Sequence, residues 1–86
     1  MWYVYILECQ NHDLYTGITD NLERRLQEHK SGKGGKFTRA FRVNQLIYSE
    51  PCGSKNEALK REAQIKNWTR KKKLALVNGA IGEVLK

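Results

Sequence analysis

Apolar side chains fill residues 2–7 without a break (WYVYIL), and after a short polar interruption they return in LYTGI at residues 14–18. An unbroken run of aromatic, β-branched and aliphatic residues is the pattern of a strand covered on both faces, so the first run predicts a central strand. Asn11 and Asp13 supply turn chemistry between the two runs, which makes them a hairpin. Asp20 stands three residues before Glu23, the spacing of a capping box, and the helix it predicts begins at Asn21 or Leu22. At about 100° per residue, Leu22 and Leu26 mark the inward stripe of this helix, Arg25 and His29 fall on the same side, and Arg24 points away. An arginine and a histidine turned towards the core of a small domain must line a cleft or find partners. The plainer alternatives are an arginine stem lying along the core edge and a histidine bonded to a backbone carbonyl.

The second half of the chain repeats this grammar. NQLIYS at residues 44–49 predicts a third strand beside the first two in one mixed or antiparallel sheet, ended by Glu50, Pro51, Cys52 and Gly53. Ser54 with Glu57 repeats the capping-box spacing and opens a second helix running to about Trp68. Projected at the helical period, Ala58, Leu59 and Ile65 make its apolar face with Glu62 between them and Lys66 on the flank, while Lys60, Arg61, Gln64 and Asn67 face water. An inward carboxylate is expensive unless a cation pairs it: Arg25, Lys66 or a bound metal ion. The plainest of these is a Glu62 to Lys66 pair at i, i+4. TRKKK at residues 69–73, followed by LALV, predicts a third, short basic helix stopped near Asn78 and Gly79.

Composition narrows the function classes. Residues 1–86 make one domain, with a core over about 2–77 and a short tail at 78–86. A net charge of +7 and a pI near 9.7 favour a polyanionic partner, nucleic acid ahead of an anionic membrane. The cations cluster. Residues 30–42 read KSGKGGKFTRAFR, with Lys30, Lys33, Lys36, Arg39 and Arg42, three glycines, Phe37 and Phe41, and no acid. Such a loop can contact phosphates through its cations and stack on bases through its rings. It lacks the Lys-Ser/Thr ending and the strand-to-helix setting of a P-loop, so it is not a mononucleotide cradle. Lys66, Arg70, Lys71, Lys72 and Lys73 form a second candidate phosphate-facing set. Cys9 and Cys52 have no partner at zinc spacing and read as buried, reduced thiols. With no charged-then-apolar leader before Trp2 and no apolar run near the roughly 18 residues a membrane span needs, a cytoplasmic protein is the default expectation.

Taken together, Tyr5 in the first strand, Tyr15-Thr16-Gly17 in the second, Arg25 and His29 on the first helix and Glu62 on the second resemble the GIY-YIG nuclease domain. The match spans residues 2–77, and the compact form is most similar to the small stand-alone bacterial members and to the nuclease domain of certain structure-specific endonucleases. The first motif stands as Tyr3, Val4 and Tyr5, with Tyr3 for the usual glycine, and the second as Tyr15, Thr16 and Gly17, with threonine for isoleucine. The resemblance implies an α+β fold in which a three-stranded antiparallel sheet is flanked by about three helices. It also implies phosphodiester cleavage with one divalent cation, Mg2+ or Mn2+, on DNA that is branched, flapped or single-stranded, with DNA repair or recombination as the setting. Residue by residue, Glu62 would be the metal ligand, Arg25 would hold the scissile phosphate, and Tyr5 would help to activate the attacking water. Tyr15 would orient that water or the phosphate, Gly17 would allow close backbone approach, and His29 would assist proton transfer or phosphate binding. A tyrosine near pKa 10 is a poor base at neutral pH, so Tyr5 needs a neighbouring cation or an onward proton acceptor. The rival is a nucleic-acid-binding module of the same fold that does not cleave, or that cleaves only with a partner protein. An RNA-binding or interaction protein rests on charge alone.

Overall fold

The computed structural model describes residues 1–33 and 42–79. In chain order it comprises β1 (Trp2–Cys9), β2 (Leu14–Thr19), α1 (Leu22–Lys30), β3 (Val43–Gly53), α2 (Lys55–Lys66) and α3 (Arg70–Val77). The sheet order is β2-β1-β3 and both pairings are antiparallel, which resolves the mixed-or-antiparallel alternative. β1 is central, as its unbroken apolar run predicts: Val4, Tyr5, Ile6 and Leu7 are each 2% exposed or less.

Alternation along β1 divides the molecule into two layers. Val4 and Ile6 pack with Ala58 and Ile65 of α2 and Leu76 of α3, and Leu14 and Ile18 of β2 join the same cluster. Tyr5, Leu7 and Cys9 point to the other face, where α1 lies. The polar turn between β1 and β2 is built by Asn11, whose side-chain oxygen accepts from the Asp13 amide and whose Nδ2 donates to the Asp13 carboxylate, while His12 takes a left-handed φ of 69°.

Several expectations are corrected. The cap of α1 is Asn21 and not Asp20: the Asn21 side chain accepts from the Arg24 amide, and Asp20 instead pairs with the Arg24 guanidinium at 2.9 Å. β3 does not end at Ser49 but runs to Gly53, because it is an edge strand and Pro51 can lie in it without leaving an interior ladder bond unmade. Gly53 ends it with φ 72°, and a Cβ there would meet the Glu57 carboxylate that closes the Ser54 capping box. α2 stops at Lys66, short of Trp68. Leu59, expected on the apolar face of α2, is 42% exposed. Arg61, expected in water, is half-buried: it donates to Glu50 of β3 at 2.7 Å and lies 5.2 Å from the Trp68 ring. Cys9 is buried and Cys52 only half-buried, and both are free thiols. Lys36, Phe37, Arg39 and Phe41 of the basic loop, and the tail beyond Gly79, lie outside the described residues.

Candidate active site

On the α1 face, the helical projection brings Arg25 and His29 over β1, and both meet the same atom. The Tyr5 hydroxyl lies 2.9 Å from His29 Nε2, and Arg25 Nε donates to it at 3.3 Å. A guanidinium can only donate, and with His29 as the neutral tautomer carrying its hydrogen on Nδ1 the phenol gives its own hydrogen to Nε2. His29 is 1% exposed, and burial, reinforced by the nearby Arg25 charge, lowers its pKa to about 4, so it is uncharged at neutral pH. Burial also pushes the Tyr5 pKa above its ordinary value, and the Arg25 hydrogen bond, which works the other way, does not cancel it. The phenol therefore does not ionise by itself.

Tyr15 completes the pocket, its ring centroid 5.1 Å from that of His29 and 6.4 Å from that of Tyr5. Gly17 pairs directly with Tyr5, and a Cβ at Gly17 would come within 2.5 Å of the Tyr5 oxygen. The space that glycine leaves is thus filled by the phenol of the neighbouring strand. Thr16, between them, faces the α2 layer, and its buried hydroxyl has no hydrogen-bond partner among the described residues.

Glu62 belongs to α2, on the layer opposite α1. Its carboxylate is 19% exposed and pairs with Lys66 at 3.5 Å, the pairing the sequence offered as the plainest. Its charge nonetheless reaches Tyr5, where it is the smallest of the influences that raise the phenol's pKa. Tyr5 lies over Gly17 of the edge strand and α2 packs beneath that strand, which brings the two groups into range. Among the described residues no three His, Cys, Asp or Glu side chains come together to hold a metal ion. The donor set therefore fits a hard cation only as one carboxylate completed by waters and substrate oxygens, and does not fit a protein cage.

Of the predicted phosphate-facing cations, Lys30, Lys33, Arg42, Lys66, Arg70, Lys71 and Lys72 are exposed and Lys73 is half-buried. The Arg42 carbonyl accepts from the Gln10 amide at 2.7 Å and Arg70 donates to the His12 carbonyl, so both stand at the turn end of the hairpin. Sequence reasoning missed the roles of Trp68, which lies between Arg61 and Lys72 with the ammonium 4.6 Å from its ring, and of Glu50. The Glu50 contact has no short-range signal, since it joins β3 to α2.

Residues 1–75 match the model of the GIY-YIG catalytic domain. The chain belongs to the GIY-YIG family. A UPF0213 protein of Syntrophus aciditrophicus is 54% identical to it over 76 residues, covering 87% of each chain. One from Staphylococcus saprophyticus is 45% identical over 76 residues, covering 88% of this chain and 93% of that one. The solution NMR structure of a UPF0213 protein from Bacillus halodurans, 43% identical, superposes with a TM-score of 0.56 over 91% of this chain and 84% of that one. The GIY-YIG family is one of nucleases, generally dependent on divalent metal and acting on DNA. No helix among the described residues is long and apolar enough to cross a membrane.

Proposed function

We propose that this GIY-YIG domain is a divalent-metal-dependent DNA endonuclease that hydrolyses phosphodiester bonds, with Tyr5, Tyr15, Arg25, His29 and Glu62 as its catalytic set. The observation that carries the reading is the shared contact at the Tyr5 oxygen, where a guanidinium and a neutral imidazole lie within hydrogen-bond reach of one phenol. Arg25 offsets the negative charge that develops on the non-bridging oxygens of the scissile phosphate. Tyr5 works as a relay: it takes the proton of the attacking water while it hands its own to Nε2 of His29, so it is never required to be a free phenolate. The low pKa of His29 resists that transfer in the free protein, and an anionic phosphate arriving beside it favours the imidazolium, so the base strengthens when substrate is bound. Tyr15 packs against both partners and holds their rings in position. Glu62 is the residue to hold Mg2+ or Mn2+, and the ion, when bound, supplies charge stabilisation and an acidified water. The described cations at residues 30, 33, 42, 66 and 70–73, with Lys36 and Arg39, would neutralise the DNA backbone. Branched, flapped and single-stranded DNA are the candidate substrates, and repair or recombination the setting.

One observation favours a second reading. The pairing of Glu62 with Lys66 leaves the carboxylate already satisfied, as in a module that binds without cutting or cuts only once a partner protein displaces the lysine. With Lys66 more than half exposed, a pair of this kind is worth about 1 kcal/mol, which a cation arriving with substrate can replace. Incubation with flapped, branched and single-stranded DNA plus Mg2+ or Mn2+ separates the two. Nicks that vanish in Glu62→Ala and Arg25→Ala support the endonuclease, and binding without cleavage, unchanged by Glu62→Ala, selects the module.

A further inference from the structure

A second feature lies behind the tyrosine pocket. Asp13, Leu14, Arg70 and Lys73 line an open cleft of about 300 Å3 where the hairpin turn meets the first turn of α3. Arg70 closes one side by donating to the His12 carbonyl. Lys73 is half-buried, and its side chain makes no hydrogen bond or ion pair with any described residue. The Asp13 carboxylate is held at 2.9 Å by the Asn11 amide and pairs with neither cation. Two cations against one carboxylate leave the lining positive, and the Lys73 ammonium, which pairs with no carboxylate, is free to meet an arriving anion.

The position of the cleft says what that anion is. Leu14 and Tyr15 are consecutive residues of β2, so their side chains point to opposite faces. Leu14 packs on the layer of α2 and α3, and Tyr15 on the pocket with Tyr5 and His29. Cleft and pocket therefore stand back to back across β2, which is an edge strand.

We propose that the cleft is a second phosphate-binding site for the same substrate, and that a single-stranded stretch of polynucleotide passes over the edge of β2 from the cleft to the pocket. The proposal rests on the nuclease reading for the pocket, but its own ligand is the phosphodiester backbone. Duplex DNA, with a persistence length of about 150 base pairs, does not turn around the edge of one strand. A single strand does, its phosphates meeting Arg70 and Lys73 and a sugar or base lying on Leu14.

Fluorescence anisotropy with an oligothymidylate and with a blunt duplex of equal length, in EDTA so that nothing is cut, tests it. Lys73→Ala weakens oligothymidylate binding about tenfold, the worth of one charge-assisted contact. The same variant lowers the salt slope for the single strand by about 0.7 and weakens duplex binding much less. Asp13→Asn, which keeps an acceptor for Asn11, tightens binding of the single strand; a merely structural aspartate would not. Equal losses on both ligands, or no loss with a native melting curve, overturn the proposal. Because the readout is binding without metal, a wild-type protein that never nicks DNA removes the nuclease reading while these results still decide the cleft.

Discussion

His29 is uncharged at neutral pH because it is enclosed by Tyr5 and Tyr15 and lies near the Arg25 charge, with Glu28 only partly compensating. In the unfolded chain its pKa returns to about 6.5, so as pH falls the unfolded state takes up the proton first. The stability that neutral His29 represents is complete above that value and is lost progressively as pH drops towards the folded value of about 4. Its size is on the order of 2 kcal/mol, enough to shift a melting temperature by several degrees in a domain of this length. Thermal melts between pH 7.5 and 4.5 should therefore fall more steeply for the wild type than for His29→Asn; parallel curves would show that His29 titrates normally. The inward direction of Arg25 and His29 was legible from the spacing of Leu22 and Leu26. Their convergence on one phenol was not, because it depends on the register that sets Gly17 opposite Tyr5.

Elements were legible in proportion to how local their signals are. The capping box at Ser54 and Glu57 forms as the spacing predicts, since both partners lie within one turn. At α1 the box spacing points Asp20 at the Glu23 amide, whereas Asn21 caps the helix through the Arg24 amide and Asp20 is engaged by the Arg24 guanidinium. The burial of Arg61 was illegible, because its partners are Glu50 of β3 and the Trp68 ring, eleven residues before it and seven after. Arg61 thus links α2, the sheet and the segment leading into α3. Arg61→Ala leaves a half-buried Glu50 carboxylate without its cation and should cost about 2 kcal/mol, read as a lower midpoint in urea with an unchanged slope. A variant as stable as wild type would mean that the link is ornamental.

Over the whole molecule, charge is distributed along the sheet. The turn end gathers Arg42, Arg70 and Lys73 with Asp13 and Glu8, while at the other end Asp20 and Glu50 are paired with Arg24 and Arg61. Affinity for DNA should fall steeply, on the order of a thousandfold for six contacts, between about 50 and 200 mM salt as condensed counterions are released. A flat response in filter binding would remove nucleic acid as the partner. The net charge and the two cationic segments were plain in the sequence, whereas the placing of Arg42 and Arg70 at the hairpin turn follows from the crossing of the chain past Gln10 and the return of α3 to His12.

The strand at the centre of the sheet is also the first of the three to be synthesised. Val4 and Ile6 leave the ribosome some fifty residues ahead of Ala58, and further ahead of Leu76, the side chains that cover them. The nascent hairpin therefore travels with one oily side bare until α2 and α3 have emerged. This layer closes only once α3 has emerged, and a chain truncated before α3 yields a product that chaperones and proteases will recognise.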